Sequence, residues 1–96
     1  MYEEWWLAAL GDTVVWARLR EREAGTAEVF DCDGQFLVYD SPDSARAALM
    51  DAEFRFLDGL DEDDAQQMGW NLADLNPPRA DSDDALHRLM VLKRPG

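Results

Sequence analysis

Cysteine is nearly absent from this chain: Cys32 stands alone among 96 residues. No intrachain disulfide can form, so nothing suggests the stapled scaffold of a small secreted protein. Histidine is as scarce. His87 and Cys32 together fall short of the usual four ligands of a zinc site, and no metal or cofactor is expected. Long apolar runs are missing too. The stretch from Trp5 to Leu10 is far shorter than the roughly 20 residues a membrane helix needs. Met1, Tyr2, Glu3 and Glu4 precede it in place of a basic stretch, and no small-residue cleavage site follows. The expectation is a protein of the reducing cytoplasm with no membrane partner. A glycine-rich phosphate loop, G-x-S-x-G and H-E-x-x-H are also lacking, so no catalytic residue is assigned and no enzyme is expected.

Basic residues are few. The chain has 9 Lys or Arg against 21 Asp or Glu, a formal net charge of −12. Such a surface repels polyanions and attracts basic ones, so nucleic acid is an unfavourable ligand and a basic protein is the expected partner. The acidity does not mean disorder, whose signature also needs low hydrophobicity. Here 47% of residues are hydrophobic and four are Trp. The length fits one domain, residues 1–96. Residues 31–96 hold fifteen of the acids, mainly in loops and at expected helix starts.

The pattern along the chain predicts an α+β fold: a three- to four-stranded antiparallel meander, one main helix packed on it, and short C-terminal helices. Residues 3–10 read as a short helix stopped by Gly11, with a strand as the alternative because Trp5 and Trp6 are strand formers. Thr13 to Arg22 alternates, with Val15, Ala17 and Leu19 on one face and Val14, Trp16, Arg18 and Arg20 on the other. Thr26 to Asp31 and Gln35 to Tyr39 are the next strands. Asp33-Gly34 between them predicts a hairpin with a type I′ turn. Ser41 and Pro42 start the main helix as cap and first residue. Ala45, Ala48, Leu49 and Ala52 follow the helical period up to about residue 53. Phe54, Phe56 and Leu57 suggest a fourth short extended segment. A second helix starts near Asp61, with Ala65 and Met68 inside and Gly69 beyond. Asn71 to Leu75 adds a helical turn before Pro77-Pro78. Residues 79–84 read as a loop, and Ala85 to Arg94 fits either a helix or an edge strand.

Several residues invite a chemical reading beside a plain one. Asp31, Asp33 and Gly34 look like the start of a calcium loop. That loop would need glycine where Phe36 stands and glutamate where Pro42 stands, so the turn explains them better. His87 has Asp83 and Asp84 nearby, but a base also needs an oriented nucleophile. A lone Cys32 behaves more often as a small hydrophobe. Arg18, Arg20 and Arg22 form a same-face row that phosphate could use, although cross-strand pairing with Glu28 and other acids explains it better. The densest acidic run is Asp58, Asp61, Glu62, Asp63 and Asp64. Carboxylates in a first helical turn are stabilising by about 0.3–1 kcal/mol each. That accounts for one or two of them, and the excess suggests a docking surface. Trp70 just beyond that helix would serve as an aromatic anchor, since Trp is enriched at interface hot spots.

The Asp31 to Gly34 hairpin, the Ala-rich helix from Ser41 to Ala52 and the acidic turn from Asp58 to Glu62 resemble the layout of a group of short bacterial chains. More loosely, the layout is similar to the small acidic immunity proteins that neutralise polymorphic bacterial toxins. The resemblance implies a small domain that covers the active cleft of a basic toxin; on the charge and aromatic reading above, Asp58, Asp61, Glu62, Asp63, Asp64 and Trp70 are the residues expected at the interface. A regulator whose carboxylates imitate nucleic-acid phosphates is the alternative, and a small metal-binding protein is a third.

Overall fold

A computed structural model describes residues 2–93. Within them the chain is α+β, with one antiparallel sheet, three α-helices and two single 3₁₀ turns. The strands are β1 Glu3–Leu10, β2 Thr13–Glu21, β3 Ala27–Phe30, β4 Phe36–Tyr39, β5 Arg55–Phe56 and β6 Val91–Lys93. The helices are α1 Pro42–Asp51, α2 Glu62–Gln67 and α3 Asp83–Arg88, and 3₁₀ turns cover Leu57–Gly59 and Leu72–Asp74. The sheet order is β4-β3-β2-β1-β5, while β6 pairs with the first residues of β2. The meander from β2 to β4 is therefore present, but the sheet has six strands where three or four were expected.

The two extra strands have different origins. β1 replaces the short helix expected over residues 3–10. It lies between β2 and β5, and Trp6, Leu7 and Ala8 are all buried in succession. A strand buried on both faces shows no polar alternation, and its apolar run looks the same as a helix. The overlooked signal was Gly11-Asp12. Leu10 pairs with Thr13, so these two residues form a two-residue hairpin loop with Gly11 at φ 66°. Glycine at the first loop position is the mark of a type II′ turn. β6 comes from the ambiguous tail, which is both of its alternatives in sequence: helix α3, then a strand. Arg94, at the end of that tail, lies outside the described residues.

The β3–β4 connection also differs from expectation. Gly34 has φ 81°, but Asp33 does not share a positive φ, as a type I′ turn would require. Instead Gly34 N–H donates to the Asp31 carbonyl, and the Asp31 carboxylate accepts from the N–H groups of Asp33 and Gln35 at 3.0 Å each. Asp31 thus folds the loop around its own side chain, which lengthens the connection to five residues, 31–35.

Each sheet face carries its own core. On one face Trp6, Ala17, Leu19, Ala27 and Val29 pack against Ala45 and Leu49 of α1. The Ser41 hydroxyl caps α1 by accepting from the Ser44 N–H at 3.1 Å. Ala52, expected on the packed side, is exposed because α1 ends one residue earlier and turns away at Glu53, whose φ is 67°. On the other face Leu7, Val14, Trp16 and Phe30 pack against Leu60, Ala65, Trp70, Leu75, Leu86 and Met90, supplied by the short elements after β5.

Candidate functional site

The acidic run starts α2, and local chemistry accounts for part of it. Asp61 caps the helix by accepting from Asp64 N–H at 2.8 Å, and the Asp64 carboxylate accepts from Asp61 N–H at 3.3 Å. Leu60 before the cap and Ala65 at the fourth helical position are both buried, the arrangement of a hydrophobic staple. Asp64 also lies 3.4 Å from Arg55. Asp58, Glu62 and Asp63 are exposed and make no ion pair among the described residues.

Trp70 is in the core, only 7% exposed, rather than standing on the surface as an anchor. The end of α2 explains this. Gly69 has φ 84°, Gly69 N–H donates to the Gln66 carbonyl, and Trp70 N–H donates to the Ala65 carbonyl at 2.9 Å. This double closure folds the residue after the glycine back onto the last helical turn, so Trp70 joins Ala65 in the interior. The apolar pair Ala65 and Trp70 around Gly69 was the sequence signal for it. The remaining edge of Trp70 lines a groove of about 660 Å³ with Asn71, Asp74, Leu92 and Lys93. Glu62 lines a smaller hollow that shares Gln66, Asn71 and Asp74 with this groove. Of the acidic run only Glu62 lines a hollow next to the Trp70 groove; the rest stand at the start of α2, and Trp70 lies just past its other end.

A second surface was not foreseen. β4 is an edge strand, and Phe36, Leu37 and Val38 are 48%, 47% and 59% exposed. Phe36 stacks on Phe30, with ring centroids 4.5 Å apart, but most of the strand faces solvent. An apolar edge with unpaired backbone groups is a template for another strand. The alternation of Phe36 to Tyr39 is invisible in sequence, because all four residues are apolar or aromatic.

A third surface lies at the open end of the core that contains Trp16. Arg18 is 3% exposed although charged. Its guanidinium sits 5.0 Å from the Phe30 ring centroid, and Nη1 donates to Asp83 at 3.2 Å. Arg20 pairs with Glu3 at 2.9 Å, not with Glu28, which lies opposite it in the strand register. Arg22 lies beyond the end of β2 and is exposed. Arg18 and Arg20 join Glu3, Trp5, the Asn76–Ala80 segment and Leu86 around a cleft of about 670 Å³. Asp83 is 65 residues from Arg18 in sequence, so no local pattern announced this pair.

On the opposite face Glu4 is the other buried charge. Arg46 grips it with Nε and Nη2 at 2.8 and 3.2 Å, and Tyr2 and Trp6 donate at 2.6 and 3.0 Å. Burial alone would push the Glu4 carboxyl up, but these donors outweigh it and hold the group below the ordinary carboxylate range. The hydrogen bond to Glu4 likewise raises Tyr2, and Arg46 is held firmly protonated. Nothing here resembles a reactive pair.

His87 and Cys32 come closer together than their sequence separation suggests. The His87 ring packs against Phe30 and lies 3.4 Å from where a Cβ on Gly34 would stand, in the same loop as Cys32. No hydrogen bond among the described residues orients His87 toward Cys32 or toward an acid. Burial, then the Asp33 and Asp31 carboxylates, push the Cys32 thiol up, away from the thiolate a nucleophile needs. Among the described residues no three His, Cys, Asp or Glu side chains converge as metal ligands would. No described helix is long and apolar enough to cross a membrane. No protein-family model matches the chain, and no curated protein or solved structure matches it either.

Proposed function

We propose that this chain is a small, non-catalytic, acidic protein-binding domain: a cytoplasmic immunity protein or inhibitor that neutralises a basic bacterial toxin by covering its active cleft. The observation that carries the protein-binding part is β4. Three consecutive apolar residues are left about half exposed on an edge strand, where a partner strand gains backbone hydrogen bonds and side-chain pockets together. The occupant we assign is a strand from a basic protein. A second copy of this chain would bring another −12 to the same contact, whereas a cationic partner gains attraction at every approach. Asp58, Glu62 and Asp63 have no structural partner and supply part of that field. The densest acids cluster at the start of α2, with two more at the start of α3 and one at that of α1, rather than in a regular row on one rigid face. That arrangement favours protein docking over imitation of a phosphate backbone.

The test uses wild-type protein, Val38→Lys, and Asp61, Glu62 and Asp63 changed together to Asn, Gln and Asn. Each is used to capture partners from native lysate. The captured protein is then purified and its kinetics measured at low and high salt. The expected partner is basic. Association should slow as salt rises from about 0.05 to 0.5 M, because the Debye length shortens several-fold. Val38→Lys should speed dissociation, and the triple variant should slow association. A partner that binds both variants as it binds wild type would sink the assignment. So would a homodimer that Val38→Lys dissolves.

A further inference from the structure

The kind of segment that β4 accepts follows from its hydrogen-bond phase and its charge, given the reading of that edge as the docking site. Asp31 N–H donates to the carbonyl of Gln35, directly opposite it. In an antiparallel ladder, opposed residues alternate between bonded and non-bonded pairs. Counted along the register from Asp31 and Gln35, the bonded pairs are Val29 with Leu37 and Ala27 with Tyr39. Glu28 with Val38 and Phe30 with Phe36 are the non-bonded pairs. The other side of β3 agrees. Arg22 N–H donates to the Thr26 carbonyl, which makes Arg20 with Glu28 and Arg18 with Phe30 the bonded pairs there. The N–H and C=O groups of Phe36 and Val38 therefore point away from β3, and no described strand lies beyond β4. Their side chains share a face with Phe30, while Leu37 shares the opposite face with Val29. A strand laid on this edge finds two bonded positions, with the closer non-bonded position at Leu37 between them. Nothing on β4 blocks it. Natural edges are defended by charged side chains, above all Lys, or by proline. β5 and β6 each include a base, Arg55 and Lys93, but β4 has neither charge nor proline.

Charge selects the segment. From Glu23 to Ala45 the sequence holds six acids and no Lys or Arg. Asp33 and Asp40 stand just outside the two ends of β4, both exposed and without an ion pair among the described residues. We propose that β4 takes up an extended segment of the partner protein in which three apolar residues lie between basic ones. The apolar residues run along Phe36, Leu37 and Val38. The backbone groups opposite Phe36 and Val38 bond to theirs, and Lys or Arg at either end meets Asp33 and Asp40. An acidic segment would gain the same backbone bonds against like charge, which disfavours wrong partners. A second copy of β4 would bring its own Asp33 and Asp40 to the same contact.

The probe is a peptide with blocked ends, Lys-Lys-Val-Tyr-Val-Lys-Lys, compared with the same peptide carrying Glu for Lys. Amide hydrogen exchange of the ¹⁵N-labelled protein reads the edge residue by residue. In the protein alone, the Leu37 amide should exchange slowly and those of Phe36 and Val38 fast. The basic peptide should slow Phe36 and Val38 about tenfold or more at saturation, and the acidic peptide should not. Val38→Pro removes an outward N–H and no bond to β3, a place where an edge strand tolerates proline. It should leave the melting temperature near that of wild type and weaken the peptide about tenfold. If Val38→Pro fails to fold, the peptide carries the test. Methylating both of its Val nitrogens should abolish binding, and methylating the Tyr nitrogen should not. A basic peptide that perturbs Asp61 to Asp64 and leaves β4 unchanged would overturn the inference, while a basic partner for the domain would stand. Val38→Lys blocking the captured partner while methylated peptides still bind would keep β4 as the docking edge and overturn pairing through the backbone. Equal binding of the acidic peptide would overturn the charge assignment. Protection of Phe36 and Val38 that rises with protein concentration alone would put a second copy in the segment's place.

Discussion

On one face of the sheet a single ten-residue helix lays Ala45 and Leu49 over Ala17, Leu19 and Val29. On the other, four short helical pieces, a strand and a proline segment together cover Trp16 and Phe30. The first face is closed by small residues that let the helix approach closely, and its buried charge, Glu4, is fully gripped by Arg46, Tyr2 and Trp6. The second is filled by large side chains, Trp16, Trp70 and Met90, and its buried charge, Arg18, keeps a donor edge unfilled. One regular helix can satisfy a face completely. A patchwork of six-residue and shorter elements must be held by caps and turns, and it leaves clefts between them. The grooves of about 660 and 670 Å³ both lie on the patchwork side.

The sharpest way to test this contrast is to empty each core in turn. Trp70→Ala should cost about 3–5 kcal/mol, the range for a buried tryptophan. Leu49→Ala should cost about 2–3 kcal/mol, the lower part of the range for leucine, because its neighbours are small and it is 6% exposed. Denaturant melts give both numbers. A larger loss for Leu49→Ala would reverse the ranking of the two cores, and a negligible loss for Trp70→Ala would put Trp70 back on the surface.

The gripped charge predicts a pH effect on the α1 face. The folded carboxyl of Glu4 lies below its unfolded value of about 4.3. Its contribution is therefore present above that pH and is lost as pH falls through the folded value. Glu4→Gln should lower stability at neutral pH by about 1–3 kcal/mol, as expected when a buried hydrogen-bonded group loses its charged partner. The variant should also fall less steeply than wild type between neutral and acid pH. Parallel pH curves for the two proteins would mean that Glu4 contributes no such linkage.

The smallest effect concerns how the two faces end their helices. α1 and α2 close with the same pair of hydrogen bonds, Glu53 to Met50 with Phe54 to Leu49, and Gly69 to Gln66 with Trp70 to Ala65. At the left-handed position α2 has glycine, while α1 has Glu53 at φ 67°. A side chain there costs roughly 1 kcal/mol. Glu53→Gly should therefore raise the melting temperature slightly, offset in part by greater freedom of the unfolded chain. A lowered melting temperature would show that the Glu53 side chain does more than tolerate the turn.

The β2–β4 meander, the capped start of α1, the start of α2 near Asp61 and the turn before Pro77 were all readable in sequence, because each depends on residues within a few positions of one another. Ser41-Pro42 starts a helix and Gly34 turns a chain whatever surrounds them. The fate of residues 3–10 was legible only through the Gly11-Asp12 turn at their end. Trp5, Trp6 and Leu7 suit a helix or a strand, and pairing with β2 on one side and β5 on the other decided for the strand. Nor could the sequence place Phe36 to Val38 outside or Asp83 beside Arg18, since burial is a property of what covers a residue. The sequence alone set the charge, the caps and the turns, whose energies are local. Only the tertiary structure decided which faces closed, which edge stayed open and which arginine was buried with donors unmatched, because those depend on contacts between residues far apart in the chain.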